Sequence, residues 1–320
     1  MKKKMLVFLI IALLSTDLYG CANEKATVTT TVYAVKYLVE QLAGDKVNVE
    51  YISSDNFIQR ATIVDNYDDI LQKTTVFLYI DGLEPYLSLY PEILQNYDME
   101  LINLANLSAI YNFKRYKLIE VGDESVLREE EYYSSDLFEH VDEYDKDPFI
   151  WLDPIAMSSM AVTIKDWLCS YYPEDTLTFE NRFKELQQIF VRMDAEFQSL
   201  NDISNIKFVT VTASFGNWQK LYGVEVYPLI LSKYGALPTE EQLAFIESQI
   251  RENDVKYIAY DDTIVEQDML DLYERVKTDL GLEEIDLSSL SRLSQDDIEK
   301  NKDYITIMYE NLTALEKAFK

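Results

Sequence analysis

Side chains able to ligate a soft metal or carry nucleophilic chemistry are scarce in this chain. Its 320 residues include one histidine, His140, and two cysteines, Cys21 and Cys169, against 57 aspartates and glutamates. A closed zinc site takes four donors and an open one about three protein ligands, which a single imidazole does not provide. No Gly-x-Ser-x-Gly, P-loop or Gly-x-Gly-x-x-Gly occurs, and eight glycines leave little material for phosphate-cradling loops. Ser214 has no histidine to activate it, because His140 lies within an acidic stretch. No catalytic residue is assigned, and the chain reads as something other than an enzyme. Asp261-Asp262, with other acids, could hold a hard cation such as calcium or manganese, since oxygen ligands suit those ions. No EF-hand spacing accompanies the pair. It reads equally well as turn and helix-capping aspartates at a strand end.

The N-terminus indicates where the protein works. Lys2, Lys3 and Lys4 precede ten apolar residues, Met5 to Leu14. That run is too short to cross about 30 Å of hydrocarbon, and it has the length and flanks of a secretory segment. Leu18-Tyr19-Gly20-Cys21 resembles a bacterial lipobox, in which the cysteine thiol receives the lipid. Residues 1–21 are therefore expected to be a lipoprotein signal peptide and lipobox, with Cys21 the lipidation site. The protein is expected on the outer face of the bacterial cell membrane, held through its lipid. An ordinary signal peptide cut nearby, with Cys21 a spectator, is the alternative. With Cys21 lipidated, Cys169 has no disulfide partner and reads as a small buried hydrophobe.

Charge excludes further classes. The formal charge is −28, and loss of residues 1–20, with three lysines and one aspartate, takes it to −30. Such a surface repels phosphates and anionic headgroups, so nucleic acid and peripheral membrane binding are excluded as partners. No apolar run after Leu14 approaches the length of a membrane helix. Hydrophobic residues make up 48% of the chain, enough for more than one core, and the length suits two domains.

The elements that would position a site alternate along the chain. Ala26–Val32, Val47–Ile52 and Thr75–Ile80 read as strands, with a helix over Val35–Leu42 and another from Pro85 toward Leu94. Asp153-Pro154 starts a helix, with Asp as N-cap and Pro at the first position. Phe179, Phe183, Leu186, Phe190, Met193, Phe197 and Leu200 then recur at intervals of four and three. This spacing predicts one spine helix over residues 173–202, roughly 42 Å long from Pro173 to Leu200 at 1.5 Å per residue. Beyond it, Lys207–Thr212, Val224–Pro228, Val255–Tyr260 and Ile285–Leu287 read as strands. Thr239 with Gln242 forms a capping box, Glu266–Leu280 is helical, and one helix is expected over Asp296–Phe319. The acidic segment 122–147 reads as a mobile solvated loop. The expected fold is α/β: two lobes, each a mostly parallel sheet flanked by helices, joined by one long spine helix. The boundaries are 22–172 for the N-terminal lobe, 173–202 for the spine and 203–320 for the C-terminal lobe.

Several motifs in this order resemble the zinc- and manganese-type solute-binding lipoproteins of ABC importers. They are Thr29 to Val39, Ala43-Gly44-Asp45-Lys46-Val47, Gly82-Leu83-Glu84-Pro85-Tyr86-Leu87, Asp147 to Pro154, Ser214-Phe215-Gly216 with Tyr222-Gly223, and Lys302-Asp303-Tyr304 with Met308, Asn311 and Leu312. The resemblance implies a monomeric receptor working with permease and ATPase subunits. It also implies a zinc or manganese ion between the lobes, held by three histidines and a carboxylate. Carried over by position, the histidines fall at Ala61 (to within a residue or two), Phe149 and Thr212, and the aspartate falls at Ser288. Asp261 matches the glutamate of a Val-Glu-Pro turn. None of the four ligand positions holds an imidazole or carboxylate, so the expectation is a kept scaffold with no metal ligands and no cofactor. Candidate lining residues of the crevice are Arg60, Ala61, Phe149, Thr212, Asp261 and Ser288. That mixture suits a small polar organic solute. A degenerate relative acting as a surface adhesin or interaction protein is the competing expectation.

Overall fold

The computed structural model describes residues 25–320 except 55–56, 90–91 and 122–123. The expected signal segment and Cys21 lie outside the described residues.

The first sheet is built from β1 (Thr27–Thr30), β2 (Asn48–Tyr51), β3 (Val76–Tyr79) and β4 (Glu100–Asn103). Its order is β2-β1-β3-β4 and every pairing is parallel. Central β1 is buried along its whole length, as a strand covered on both faces must be, whereas β2 at the edge alternates between exposed and half-buried residues. Helices α1 (Tyr33–Ala43), α2 (Tyr67–Leu71), α3 (Pro85–Leu89) and α4 (Glu92–Gln95) connect these strands. The helix expected from Pro85 to Leu94 is thus two short pieces, and β4 was not foreseen.

Next comes an antiparallel hairpin of β5 (Arg115–Val121) and β6 (Glu124–Glu130), the second strand falling where the charge run suggested only a loop. The acidic segment differs from expectation because aromatic residues are interleaved with its acids. Tyr132, Tyr133, Phe138 and Tyr144 are all buried. The Tyr133 hydroxyl donates to the Pro228 carbonyl at 2.8 Å, and Lys233 N–H donates to the Asp142 carbonyl at 2.7 Å. Gln242 Nε2 donates to the Leu137 carbonyl at 2.7 Å. The Arg115 guanidinium lies 4.3 Å from the Tyr227 ring and 5.5 Å from the Tyr133 ring, within cation–π range of both. A segment that precedes the spine in sequence therefore lies as a strap against the C-terminal lobe.

Helix α5 (Pro154–Tyr171) starts as expected: the Asp153 side chain accepts from Ile155 N–H at 2.8 Å, with Pro154 at the first position. Cys169 on this helix is half-buried and free. The spine is α6 (Thr176–Phe197), flanked by 3-10 turns at Pro173–Asp175 and Gln198–Asp202. Its α-helical part is 22 residues, about 33 Å and shorter than expected. Phe179, Leu186, Phe190, Met193 and Phe197 form its buried stripe.

The second sheet contains β7 (Lys207–Thr212), β8 (Glu225–Ile230), β9 (Tyr257–Tyr260) and β10 (Glu283–Asp286), in the order β10-β9-β7-β8 and again all parallel. Helices α7 (Gly216–Tyr222), α8 (Glu240–Glu252) and α9 (Gln267–Leu280) alternate with them. The capping box of α8 is present, with Gln242 N–H donating to Thr239 Oγ1 and Thr239 N–H donating to Gln242 Oε1. The final expected helix is two, α10 (Gln295–Glu299) and α11 (Tyr304–Phe319). They are separated where Asn301 takes φ 53° and Asp303 restarts the helix as N-cap. Asparagine tolerates this left-handed backbone better than most residues.

Both lobes therefore run second strand, first, third, fourth. In each, the chain leaves the first strand in one direction and returns to the other side of it. That reversal opens a crevice at the carboxyl ends of the first and third strands.

Candidate solute crevice

The two switch points place specific residues. Thr212 ends β7 and Asp261 follows β9, so these two flank the reversal in the C-terminal sheet. In the N-terminal sheet the equivalent positions are Thr31, just after β1, and the segment after β3 that contains Glu84. The Thr31 hydroxyl donates to Glu84 Oε1, and both residues are buried. Burial pushes the Glu84 carboxyl up to about 8, despite the Thr31 bond pulling the other way.

Asp261 is held by its own lobe. Its Oδ1 accepts from the Thr263 amide at 3.0 Å and hydroxyl at 2.7 Å, and its Oδ2 accepts from Ser289 N–H at 3.1 Å. Burial raises its pKa, and the bonds from Ser289 and Thr263 oppose that rise. Thr212 Oγ1 shares a 2.9 Å hydrogen bond with Ser214 Oγ, and both are buried.

Phe149 is fully buried. Its ring sits edge-on to Tyr144 at 5.9 Å and 87° and to Trp151 at 5.4 Å and 64°, a favourable edge-to-face geometry. Asn217 Nδ2 donates to the Phe149 carbonyl at 3.1 Å. The Trp151 indole donates to the Ser289 carbonyl at 2.8 Å, carrying the aromatic cluster across to the C-terminal lobe. Asp147 Oδ1 accepts from Phe149 N–H at 3.0 Å, and burial pushes this carboxyl up to about 7.

Arg60 reaches from one lobe to the other. Its Nε and Nη2 donate to the Gly235 carbonyl at 2.8 and 2.6 Å, and its Nη1 lies 2.7 and 2.8 Å from the two Asp268 oxygens. Ala61 beside it is buried. Ser288 differs from the rest. Its amide and carbonyl are both bonded to the Asn311 side chain at 2.9 Å, and it lines a groove of about 770 Å³ with Tyr260, Asp286, Asn311 and Lys302. It belongs to a surface between β10 and α11, apart from the Phe149 cluster.

Sequence reasoning overlooked Gln59. It is 2% exposed, and neither Nε2 nor Oε1 has a partner among the described residues. A buried primary amide with both ends unmet is unfavourable. The available signal was the tolerance of a residue or two at Ala61. Glu84 was visible only as one letter of a turn motif. Among the described residues, no three His, Cys, Asp or Glu side chains are arranged to hold a metal ion. His140 lines a separate pocket with Phe138, Asp142 and Leu237.

Two parallel α/β lobes of matching strand order, joined by one spine helix with their switch points at the strands' carboxyl ends, define a bilobal solute-binding architecture. The comparisons agree. The family model for zinc-uptake complex component A, periplasmic (ZnuA) matches residues 28–318, and the chain belongs to that family. The "Zinc-binding lipoprotein AdcA" of Streptococcus pneumoniae is 25% identical over 332 residues, covering 98% of this chain and 61% of the relative. The chain thus spans about three-fifths of that relative's length. The Zn(II)-bound ZnuA-like domain of Streptococcus pneumoniae AdcA superposes with a TM-score of 0.66 at 21% identity, covering 92% of this chain and 99% of that one. A mutant of the laminin-binding adhesin Lmb from Streptococcus agalactiae gives 0.70 at 18% identity, covering 92% and 100%. At these identities the structures speak for the fold.

Proposed function

We propose that this chain is the extracytoplasmic solute-binding lipoprotein of an ABC uptake system, tethered through Cys21 and serving permease and ATPase subunits. In this reading its crevice no longer chelates a transition metal. Family membership over residues 28–318 supports the receptor class. One observation carries the finer claim: Phe149, which the resemblance places at a histidine position, is fully buried and packed between Tyr144 and Trp151. A phenyl ring offers no lone pair, and zinc needs at least about three N, S or O donors from the protein. The methyl of Ala61 and the hydroxyl of Thr212 do not make up the deficit. The polar groups buried near the switch points, the unmet Gln59 amide, the Thr212 hydroxyl and the Glu84 carboxyl, suit a small polar organic solute better than a transition metal. Chelation by carboxylates alone finds little support, since Asp261 already accepts three hydrogen bonds from Thr263 and Ser289 and, among the described residues, no three His, Cys, Asp or Glu side chains are arranged to hold a metal ion. Binding and release, with no bond made or broken, is the activity this supports.

Isothermal titration of the metal-stripped protein with zinc and manganese tests the claim. No binding tighter than about micromolar is expected; nanomolar affinity abolished by Gln59→Ala would overturn it. A thermal-shift screen of amino acids, amines and sugars is expected to return a stabilising solute. If none stabilises, the second reading takes over: a surface adhesin. It is favoured by a structural neighbour described as a bifunctional protein with adhesin and metal transporting activity. Binding to immobilised laminin is its direct assay.

A further inference from the structure

The lobes meet at several places, the strap among them, and two of the contacts differ sharply in character. One is deeply buried: Trp151 donates to the Ser289 carbonyl, the Tyr304 hydroxyl donates to the Trp151 carbonyl at 2.6 Å, and Tyr304 stacks on Tyr37 at 5.5 Å and meets Phe190 of the spine edge-on at 6.0 Å. Trp151, Tyr304 and Phe190 are all fully buried. Desolvated aromatics of this kind make the stronger joint. The other contact is partly exposed and polar. There the short turn Ile58–Arg60 is gripped by two pieces of the C-terminal lobe, the loop carrying Gly235 and the first turn of α9.

We propose that the second contact is a latch: Arg60, seated on Gly235 and Asp268, holds the crevice shut, and its release opens the lobes about the aromatic joint. This inference rests on the crevice being a solute site. Four features of the geometry support it. The guanidinium places three of its nitrogens on one carbonyl and one carboxylate, a fork that an ammonium would not match. Gly235 is shaped for it: φ is +66°, and a Cβ there would lie 2.8 Å from Arg60 Cγ and 3.0 Å from Nε. A side chain at 235 would displace the arginine. Glu266 Oε1 accepts from Phe57 N–H at 2.5 Å, so the backbone of the same turn is held from the same helix start. Finally, the Arg60 and Asp268 side chains are 24% and 49% exposed, so water can replace each bond as it breaks. A contact of this kind opens far more readily than the buried joint.

Hydrogen–deuterium exchange of the purified protein tests this without knowledge of the solute. Arg60→Ala should raise exchange about tenfold in residues 57–63, 232–237 and 264–269, and leave the spine helix unchanged. Arg60→Lys should fall between the two, and Asp268→Asn should show a smaller rise. In the unaltered protein, 0.5 M salt should mimic Asp268→Asn, because that arm is screened while the Gly235 arm is not. Unchanged exchange in the three segments of Arg60→Ala would overturn the latch. So would a uniform rise across both lobes, which would mark general destabilisation. If Arg60→Ala does not fold, Asp268→Asn and the salt titration decide by the same criterion. The solute reading fails separately, in the thermal-shift screen.

Discussion

Buried acids are the residues with the most chemical consequence here. Glu84 and Asp147 are fully buried, and burial pushes their carboxyls up to about 8 and about 7. In the unfolded chain such groups titrate near 4. Between these limits the folded protein holds protons that the unfolded chain has released, so this contribution is complete below about pH 4 and is lost as pH rises through 7 and 8. Thermal stability should therefore fall from about pH 5 to about pH 8.5. Glu84→Gln should flatten the fall and be the more stable protein at the alkaline end. Parallel melting-temperature profiles for the two proteins would remove Glu84 as the cause. Gly216 makes the neighbouring point about fit. A Cβ there would lie 2.3 Å from Asp147 Oδ2 and 2.9 Å from the Tyr132 hydroxyl. Gly216→Ala should accordingly cost about 1–3 kcal/mol by denaturant titration, since Asp147 would lose its hold on Phe149 N–H.

The acidic strap best shows how elements acquire a role. Its charge density describes one face only. Tyr132, Tyr133, Phe138 and Tyr144 anchor the other, and the chain's hydrogen bonds go to Pro228, Lys233 and Gln242. Charge counting read this segment as solvated because it averages over residues that point in opposite directions. Tyr133→Phe keeps the ring and removes the bond to the Pro228 carbonyl. It should cost about 0.5–1.5 kcal/mol in denaturant unfolding and raise exchange in residues 131–138 ahead of the rest of the lobe. Equal exchange in variant and parent would show that the strap is held by ring burial alone. The spine keeps the buried stripe its spacing indicated, though its ends are 3-10 turns, while the last helix is not continuous. Asn301 in a left-handed conformation splits it, a detail that periodicity does not report.

For the whole molecule, a formal charge of −28 opposes compaction. Most ion pairs are partly exposed, such as Arg275–Glu240 and Lys300–Asp296, and contribute little each. Screening the net repulsion should therefore outweigh weakening the pairs. Raising sodium chloride from about 10 to about 200 mM shortens the Debye length from about 30 to below 10 Å, and the melting temperature should rise by a few degrees. A fall would mean that attractive pairs, Arg60–Asp268 among them, dominate the electrostatics of the fold.

The sequence by itself determined the α/β rhythm, the spine, the family motifs and the identity of the groups at the positions where the resemblance implies ligands. These follow from local periodicity and residue type, which a linear chain displays directly. It did not show the strand order shared by the two sheets, the strap's return onto the C-terminal lobe, the separate groove of Ser288, or the unmet amide of Gln59. It also named Arg60 without revealing its partners. Gly235 and Asp268 lie 175 and 208 residues away, and contacts at that separation exist only once the whole chain has packed. Chemistry is written residue by residue, but which donor meets which acceptor across a crevice depends on the relative placement of two lobes, and that is fixed by tertiary packing.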